Sequence, residues 1–205
     1  ISASHAPYRF AIAVSLKLGS LSDRAIGHKN DVASIFCAGY SPLMAELPPY
    51  GEGADVLERV RAMMQWTPQG RALGLEVTRL EGAKVWGRAP YRAELVGDPE
   101  SGIIAGGVIT TFLDQLCGMA AVLAMRAPAM VATIDLRIDY MRPAEPGRDV
   151  LAEAHCYKIG KNVAFVRAIA YEDAPENAIA HAASAFMVNP TTARTAGANL
   201  REKKS

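Results

Sequence analysis

The pattern of hydrophobic and polar positions in this 205-residue chain centres on one long apolar segment. From Val108 to about Met125 nearly every position is apolar or small and none is proline, which predicts a helix buried on most sides. Positions i, i+3, i+4 and i+7 break that pattern and share one helix face, namely Thr111, Asp114, Gln115 and Gly118. Because an unpaired buried charge is very unfavourable, Asp114 needs either polar partners that satisfy it or a chemical task.

Patterns typical of strands lie on both sides of this helix. Alternation of polar and apolar residues from Thr133 to Tyr140 predicts a strand with one polar face and one buried face. The other predicted elements are a helix over Val56 to Met64 capped by Asp55, and strands over Leu73 to Leu80, Lys84 to Leu95, Val150 to Ile159, Val163 to Tyr171 and Ala178 to Val188. The order of elements predicts an α+β fold with an antiparallel sheet around one helix.

Composition narrows the class of protein. Half of the residues are hydrophobic, so the chain can bury a sizeable core, and a net charge of +1 gives no electrostatic reason to expect nucleic acid or a membrane as partner. Cys37, Cys117 and Cys156 have no metal-ligand spacing, which favours a reduced, cytoplasmic protein without a metal site.

The chain divides into three parts by pattern. Residues 1–43 look unlike the rest, and we expect them to be an upstream extension with Met44 as the natural start. A signal or transit peptide is the alternative, although no small-residue cleavage pattern follows the apolar run there. Residues 44–189 form the predicted domain, and the polar tail of residues 190–205 is expected to be disordered.

Two glycines precede the apolar helix. Gly106 and Gly107 allow close approach of a ligand to the backbone, and the first N–H groups of a helix have no internal partners, so this turn is a candidate oxyanion site. Asp114 lies eight residues past Gly106, roughly 12 Å along the axis at about 1.5 Å per residue. If both groups act on one carbonyl, the second must come from another copy of the chain.

The run Ala105-Gly106-Gly107 with Asp114 resembles the His-Gly-Gly…Asp signature of hotdog-fold acyl-CoA thioesterases of the phenylacetate-degradation (PaaI-like) type. The segments 133–144 and 158–165 resemble the strands that follow in that family. The resemblance implies the hotdog fold, hydrolysis of an acyl-CoA thioester, no cofactor beyond the coenzyme A of the substrate, and a homodimer or homotetramer with sites between subunits.

The resemblance also implies roles for individual residues. Gly106 and Gly107 would stabilise the oxyanion, Asp114 would act as general base or nucleophile, and Thr133 would hold the attacking water. The residues matching those that hold coenzyme A are Tyr140, Arg142, Pro143, Lys161, Asn162 and Val163. Ala105 stands where many relatives have histidine, so a non-catalytic hotdog module that binds acyl-CoA or an aromatic metabolite is the alternative function.

Overall fold

The computed structural model describes residues 54–125 and 129–190. The expectations for residues 1–43 and for the tail beyond Pro190 lie outside these residues. The described helices and strands follow one another as α1 (Ala54–Trp66), α2 (Pro68–Leu73), β1 (Glu76–Glu81), β2 (Lys84–Ala89), β3 (Val96–Asp98), β4 (Ile103–Ile104), α3 (Gly106–Ala124), β5 (Ala129–Tyr140), β6 (Val150–Ile159), β7 (Val163–Tyr171) and β8 (Ala180–Pro190).

Six of these strands form one antiparallel sheet in the order β1-β2-β6-β7-β8-β5, and β3 pairs with β4 in a short ribbon beside it. Helix α3 contacts β2, β5, β6, β7 and β8, so the sheet wraps around it. This is the predicted α+β architecture and the hotdog fold. Strand β5 lies at one edge of the sheet, where it pairs only with β8 among the described strands.

Small residues allow the sheet to approach α3 closely. Alanines occupy much of the buried face of β6, β7 and β8, at positions 152, 154, 164, 168, 170, 180 and 182. On β2, a Cβ added at Gly87 would lie 2.9 Å from side-chain atoms of both Phe112 and Leu116. The helix is therefore held against the sheet at this point by a contact that only glycine allows.

The length and hydrophobicity of α3 reflect this packing. Its 19 residues are long and apolar enough to cross a membrane by composition alone, but Phe112, Leu113 and Leu116 are fully buried in the core of this domain. The predicted bounds of the helix, Val108 to Met125, agree with the observed ones to within two residues.

Several predicted element boundaries were wrong. The second strand ends at Ala89 rather than Leu95, because Pro90 has no N–H to donate to the sheet, and residues 93–95 form a 3-10 turn. Helix α2 was not predicted. It extends from Pro68 to Leu73 and ends at Gly74, whose φ of 67° is left-handed. Asp55 lies within α1 rather than before it.

Strand β5 departs from the predicted alternation. Its register with β8 shifts between Thr133 and Asp135, so that Ile134 is the extra residue of a β-bulge. Ile138 is buried as predicted, but Ile134 is 54% exposed. The bulge reverses the alternation of inward and outward side chains on its N-terminal side. A regular strand would have placed Thr133 on the polar outer face, whereas the bulge turns Thr133 toward α3.

Candidate active site

The bulge brings the Thr133 hydroxyl to the Asp114 carboxylate. Thr133 Oγ1 donates a hydrogen bond of 2.9 Å to Asp114 Oδ1. Asp114 is half-buried on α3. Its neighbours Leu113 and Leu116 face the core, whereas its own side chain faces β5. The second carboxylate oxygen has no hydrogen-bond partner among the described residues, so it can accept a proton from a bound molecule.

Burial changes the acidity of this carboxylate. Desolvation raises the pKa of Asp114 above its ordinary value, and the hydrogen bond from Thr133 opposes that rise. The direction is the one expected for a carboxylate on a polar stripe in an apolar helix. A raised pKa makes Asp114 a stronger proton acceptor than a surface aspartate.

The two glycines open α3 as predicted. Gly106 and Gly107 are exposed first-turn residues, and a Cβ added at Gly107 would meet no atom within 4 Å. The next N–H, that of Val108, donates to the Ala105 carbonyl at 2.9 Å, whereas the N–H groups of the two glycines have no partner within the helix. This end of α3 therefore presents free donors and the positive end of the helix dipole to open space.

Tyr140 lies against this turn. Its hydroxyl donates to the Gly106 carbonyl oxygen at 2.7 Å and lies 3.1 Å from Thr110 Oγ1. Burial raises the pKa of Tyr140, so the phenol keeps its proton and remains a donor. The predicted coenzyme A contact of Tyr140 stays a prediction, and its hydroxyl is already engaged by its own chain.

The predicted site residues occupy two opposite ends of the sheet. On β8, Met187 pairs with Val163, whereas Ala180 pairs with Tyr140. Seven residues of strand separate these rows (187 − 180), which is roughly 23 Å at about 3.3 Å per residue. One end, here called the carboxylate end, comprises Asp114, Thr133 and the turn 161–163; the other, the glycine end, comprises Gly106, Gly107, Tyr140 and Arg142.

Arg142 is occupied within its own chain. Its guanidinium pairs with Glu172, whose side chain is 1% exposed, and donates to the Asn177 side chain at 3.1 Å and the Asn177 carbonyl at 2.8 Å. Glu172 also accepts the N–H of Glu145 at 2.8 Å. Because Glu172 neutralises the charge of Arg142, the structure gives this arginine a structural task, and its predicted phosphate contact remains a prediction.

The remaining predicted coenzyme A residues are accessible. Pro143, Lys161 and Asn162 are exposed and Val163 is half-buried. The Asn162 carbonyl accepts the N–H of Val188 at 2.8 Å, which fixes the turn against β8. Lys161 has no ion pair among the described residues, so its ammonium is available to a phosphate.

Some residues near the site were not singled out from the sequence. Gln69 Nε2 donates to Thr111 Oγ1 and Thr67 Oγ1 donates to Gln115 Oε1, both at 3.3 Å, so α2 covers part of the polar stripe. The Thr67-Pro68 pair is a helix-start signal that could have revealed α2. Nothing in the sequence marked Thr110, because its partner Tyr140 lies 30 residues away.

A cysteine nucleophile and a metal site have less support in this region. Cys117 follows the stripe on α3, but burial raises its pKa to about 12, so it remains an unreactive thiol at neutral pH. In residues 54–125 and 129–190, no three His, Cys, Asp or Glu side chains are grouped closely enough to hold a metal ion.

Known proteins are similar to this chain in sequence and in fold. The chain is 33% identical over 135 residues to the medium/long-chain acyl-CoA thioesterase YigI of Salmonella typhimurium, a match that covers 59% of this chain and 85% of that protein. It is 35% identical over 94 residues to a protein of Halobacterium salinarum, covering 44% of this chain and 61% of that one.

A crystal structure from Pseudomonas aeruginosa superimposes with a TM-score of 0.59 and 43% sequence identity, covering 64% of this chain and 97% of that chain. Residues 101–179 match the family profile of the Thioesterase superfamily. The chain belongs to the thioesterase superfamily.

Proposed function

We propose that this protein hydrolyses acyl-CoA thioesters, with Asp114 as the general base that activates water. The observation that carries the proposal is the half-buried Asp114 carboxylate, whose pKa is raised by burial and which Thr133 holds at 2.9 Å. A positioned base of this kind typically contributes about 10²–10⁴-fold to a rate. The names of the relatives, among them an acyl-CoA thioesterase, support the choice of substrate.

Thr133 leaves a defined place for the water. Its hydroxyl hydrogen is used by Asp114 Oδ1, so its oxygen can accept a hydrogen bond. A water that donates one hydrogen to Asp114 Oδ2 and the other to Thr133 Oγ1 directs a lone pair outward. That lone pair attacks the thioester carbonyl carbon while Asp114 takes the proton. The carbon–sulfur bond then breaks, and the proton passes to the thiolate of coenzyme A.

The carbonyl oxygen needs donors that the same helix cannot bring to this place. Free glycine N–H groups at the start of α3 suit a developing oxyanion, and removal of one such donor typically costs about 3–4 kcal/mol of transition-state stabilisation. These groups lie roughly 12 Å from Asp114 along the helix, at about 1.5 Å per residue. The site is therefore composite, with the carboxylate end of one chain beside the glycine end of another.

Strand β5 supplies the means of association. It is a 12-residue edge strand with polar and apolar exposed side chains, and an unpaired edge readily accepts another strand. If two copies of β5 pair antiparallel about a two-fold axis, the start of each strand lies beside the end of the other. Thr133 of one chain then approaches the strand end that carries Tyr140 in the second copy.

The same arrangement completes the coenzyme A site. Tyr140, Arg142 and Pro143 lie at the glycine end, whereas residues 161–163 lie at the carboxylate end. The two groups are too far apart to hold one coenzyme A within a single chain if both contact the same phosphates. In the dimer they belong to one composite site, where Lys161 can neutralise a phosphate.

A direct assay tests the proposed function. The protein is incubated with acyl-CoA thioesters of short, medium, long and aromatic acyl groups, and the release of free thiol is followed. Medium and long chains come first, because the relative YigI is named for them. The expected result is turnover that Asp114→Asn lowers by about 100-fold or more. If the wild type releases no thiol but both proteins bind acyl-CoA with equal affinity, the protein is a non-catalytic binding module.

A further inference from the structure

Tyr140 and the oxyanion turn are connected through a single peptide group. The Gly106 carbonyl, which accepts the Tyr140 hydroxyl at 2.7 Å, and the Gly107 N–H belong to the same peptide plane. A peptide plane is rigid, and its C=O and N–H point in opposite directions. Fixing the direction of the Gly106 carbonyl therefore fixes the direction of the Gly107 N–H.

A second hydroxyl extends this connection. Tyr140 has one hydroxyl hydrogen, which the Gly106 carbonyl accepts, so at the 3.1 Å contact Thr110 Oγ1 is the donor and Tyr140 the acceptor. Hydrogen bonds in such a chain polarise one another. Donation to the Gly106 carbonyl increases the dipole of its peptide and makes the Gly107 N–H a stronger donor.

The space beside Gly107 leaves room for a substrate to approach the turn. A Cβ at Gly107 would meet nothing within 4 Å, whereas one at Gly106 would meet the Tyr140 hydroxyl at 3.5 Å. Tyr140 thus packs against the inner side of the turn and the open side faces Gly107. Ala105, which precedes the turn, makes no side-chain capping hydrogen bond. Tyr140 is accordingly the side chain that anchors the first carbonyl of α3.

We propose that Tyr140 is a positioning residue for the thioesterase reaction, which aims and polarises the Gly107 N–H toward the thioester oxyanion through the Gly106 carbonyl. The inference rests on the proposed function, and it differs from the coenzyme A contact expected from sequence. Thr110 belongs to the same series of hydrogen bonds, one bond further from the substrate.

The kinetic test uses Tyr140→Phe, which keeps the ring and removes the hydroxyl. We expect kcat to fall about tenfold while KM for acyl-CoA and the melting temperature stay near wild-type values. The reason is that the hydrogen bond from the Gly107 N–H to the thioester oxygen strengthens as charge develops in the transition state. Tyr157→Phe is the matched control, since Tyr157 is exposed on the outer face of the sheet, and it should leave kcat unchanged. A rise in KM with an unchanged kcat would show a coenzyme A contact instead and overturn the proposal.

A double-mutant cycle separates positioning from general loss of structure. Thr110→Val should lower kcat by about threefold, and Thr110→Val with Tyr140→Phe should be no slower than Tyr140→Phe alone, because Thr110 acts through Tyr140. If the two substitutions lower kcat independently, so that the double variant loses the product of the two single losses, the proposed series of hydrogen bonds is overturned.

A spectroscopic test does not depend on turnover. In protein labelled with ¹⁵N-glycine, loss of the bond to the Gly106 carbonyl should move the Gly107 amide nitrogen upfield in Tyr140→Phe and leave it unmoved in Tyr157→Phe. An unmoved Gly107 signal in Tyr140→Phe overturns the inference. Absence of wild-type hydrolysis with every acyl-CoA would instead overturn the proposed function, so the two failures are distinguishable.

Discussion

At the scale of single residues, the hydrogen bond between Thr133 and Asp114 and the burial of Asp114 act in opposite directions on the same carboxylate. Because desolvation dominates, the folded state holds a proton on Asp114 more strongly than the unfolded state does. Ionisation of Asp114 therefore lowers the free energy of unfolding as pH rises, beginning near the unfolded pKa of about 3.9 and complete above the raised folded pKa. The Asp114 carboxylate therefore has a cost in stability at neutral pH.

Replacement of Asp114 should accordingly separate activity from stability. Asp114→Asn keeps the shape of the side chain and an oxygen that can accept from Thr133, but it has no charge to desolvate. We expect kcat to fall by about 100-fold or more, with a melting temperature at pH 8 at least equal to that of the wild type. The difference in melting temperature should shrink as pH is lowered toward 4. A lower melting temperature with a proportionate loss of activity would indicate a structural aspartate.

Replacement of Arg142 is expected to lower stability more than activity, because the carboxylate of Glu172 is buried beneath it. Arg142→Met leaves that carboxylate unpaired, so the free energy of unfolding should fall by about 3 kcal/mol or more, or roughly 6–12 °C in melting temperature for a chain of this size. The matched variant Lys161→Met removes an exposed charge and should change only KM for acyl-CoA. A stable Arg142→Met protein with a raised KM would restore the arginine as a phosphate contact.

At the scale of the elements, the bulge in β5 decides which way Thr133 faces. Thr133→Val keeps the strand and its bulge but removes the hydroxyl, so that Asp114 loses its hydrogen bond and its pKa rises further. The acid limb of the kcat/KM profile should then move to higher pH, and kcat should fall about tenfold.

Two variants at the bulge are the controls. Ile134→Val keeps the bulge and should resemble the wild type in both kcat and pH profile. Deletion of Ile134 removes the extra residue but leaves Thr133 opposite Phe186, on the face toward α3, and should keep the wild-type pH profile. A Thr133→Val variant with the wild-type pH profile would show that the hydrogen bond from Thr133 does not set the acidity of Asp114.

The limits of prediction from sequence follow from the range of the interactions. Periodicity predicted α3, β6 and β7 almost to the residue, since each has a regular pattern set by neighbours in the sequence. Periodicity did not predict the orientation of Thr133, which only the family resemblance placed at the site, because a bulge arises from the pairing of β5 with β8, some 50 residues away. For the same reason the pairing of Arg142 with Glu172 did not follow from an Arg-Pro sequence that ends a strand.

At the scale of the whole molecule, the separation of the carboxylate end from the glycine end predicts complementation between damaged chains. A dimer of one Asp114→Asn chain and one Gly106→Val chain contains one composite site with both groups intact and one site with neither. Neither parent dimer has an intact site. We expect the purified heterodimer to have about half of the wild-type activity, as symmetry requires for one of two equivalent sites.

The measurement needs two affinity tags, so that only mixed dimers are recovered after co-expression. Each parent homodimer, purified in the same way, is the control and should have little activity. A heterodimer no more active than its parents, or full activity in a monomer isolated by sedimentation, would contradict the composite site.

The contact of α3 with Gly87 bears on how two such sites would influence each other. In the proposed dimer each α3 contributes its first turn to one site and Asp114 to the other, so any sliding of the helix would alter both sites. Phe112 and Leu116, one on each side of Asp114 along the helix, lie against Gly87 and oppose such sliding. Occupation of one site then has no conformational route to the affinity of the other, and substrate saturation should be hyperbolic, with a Hill coefficient of about 1. A sigmoidal curve would mean that the helix moves despite this contact.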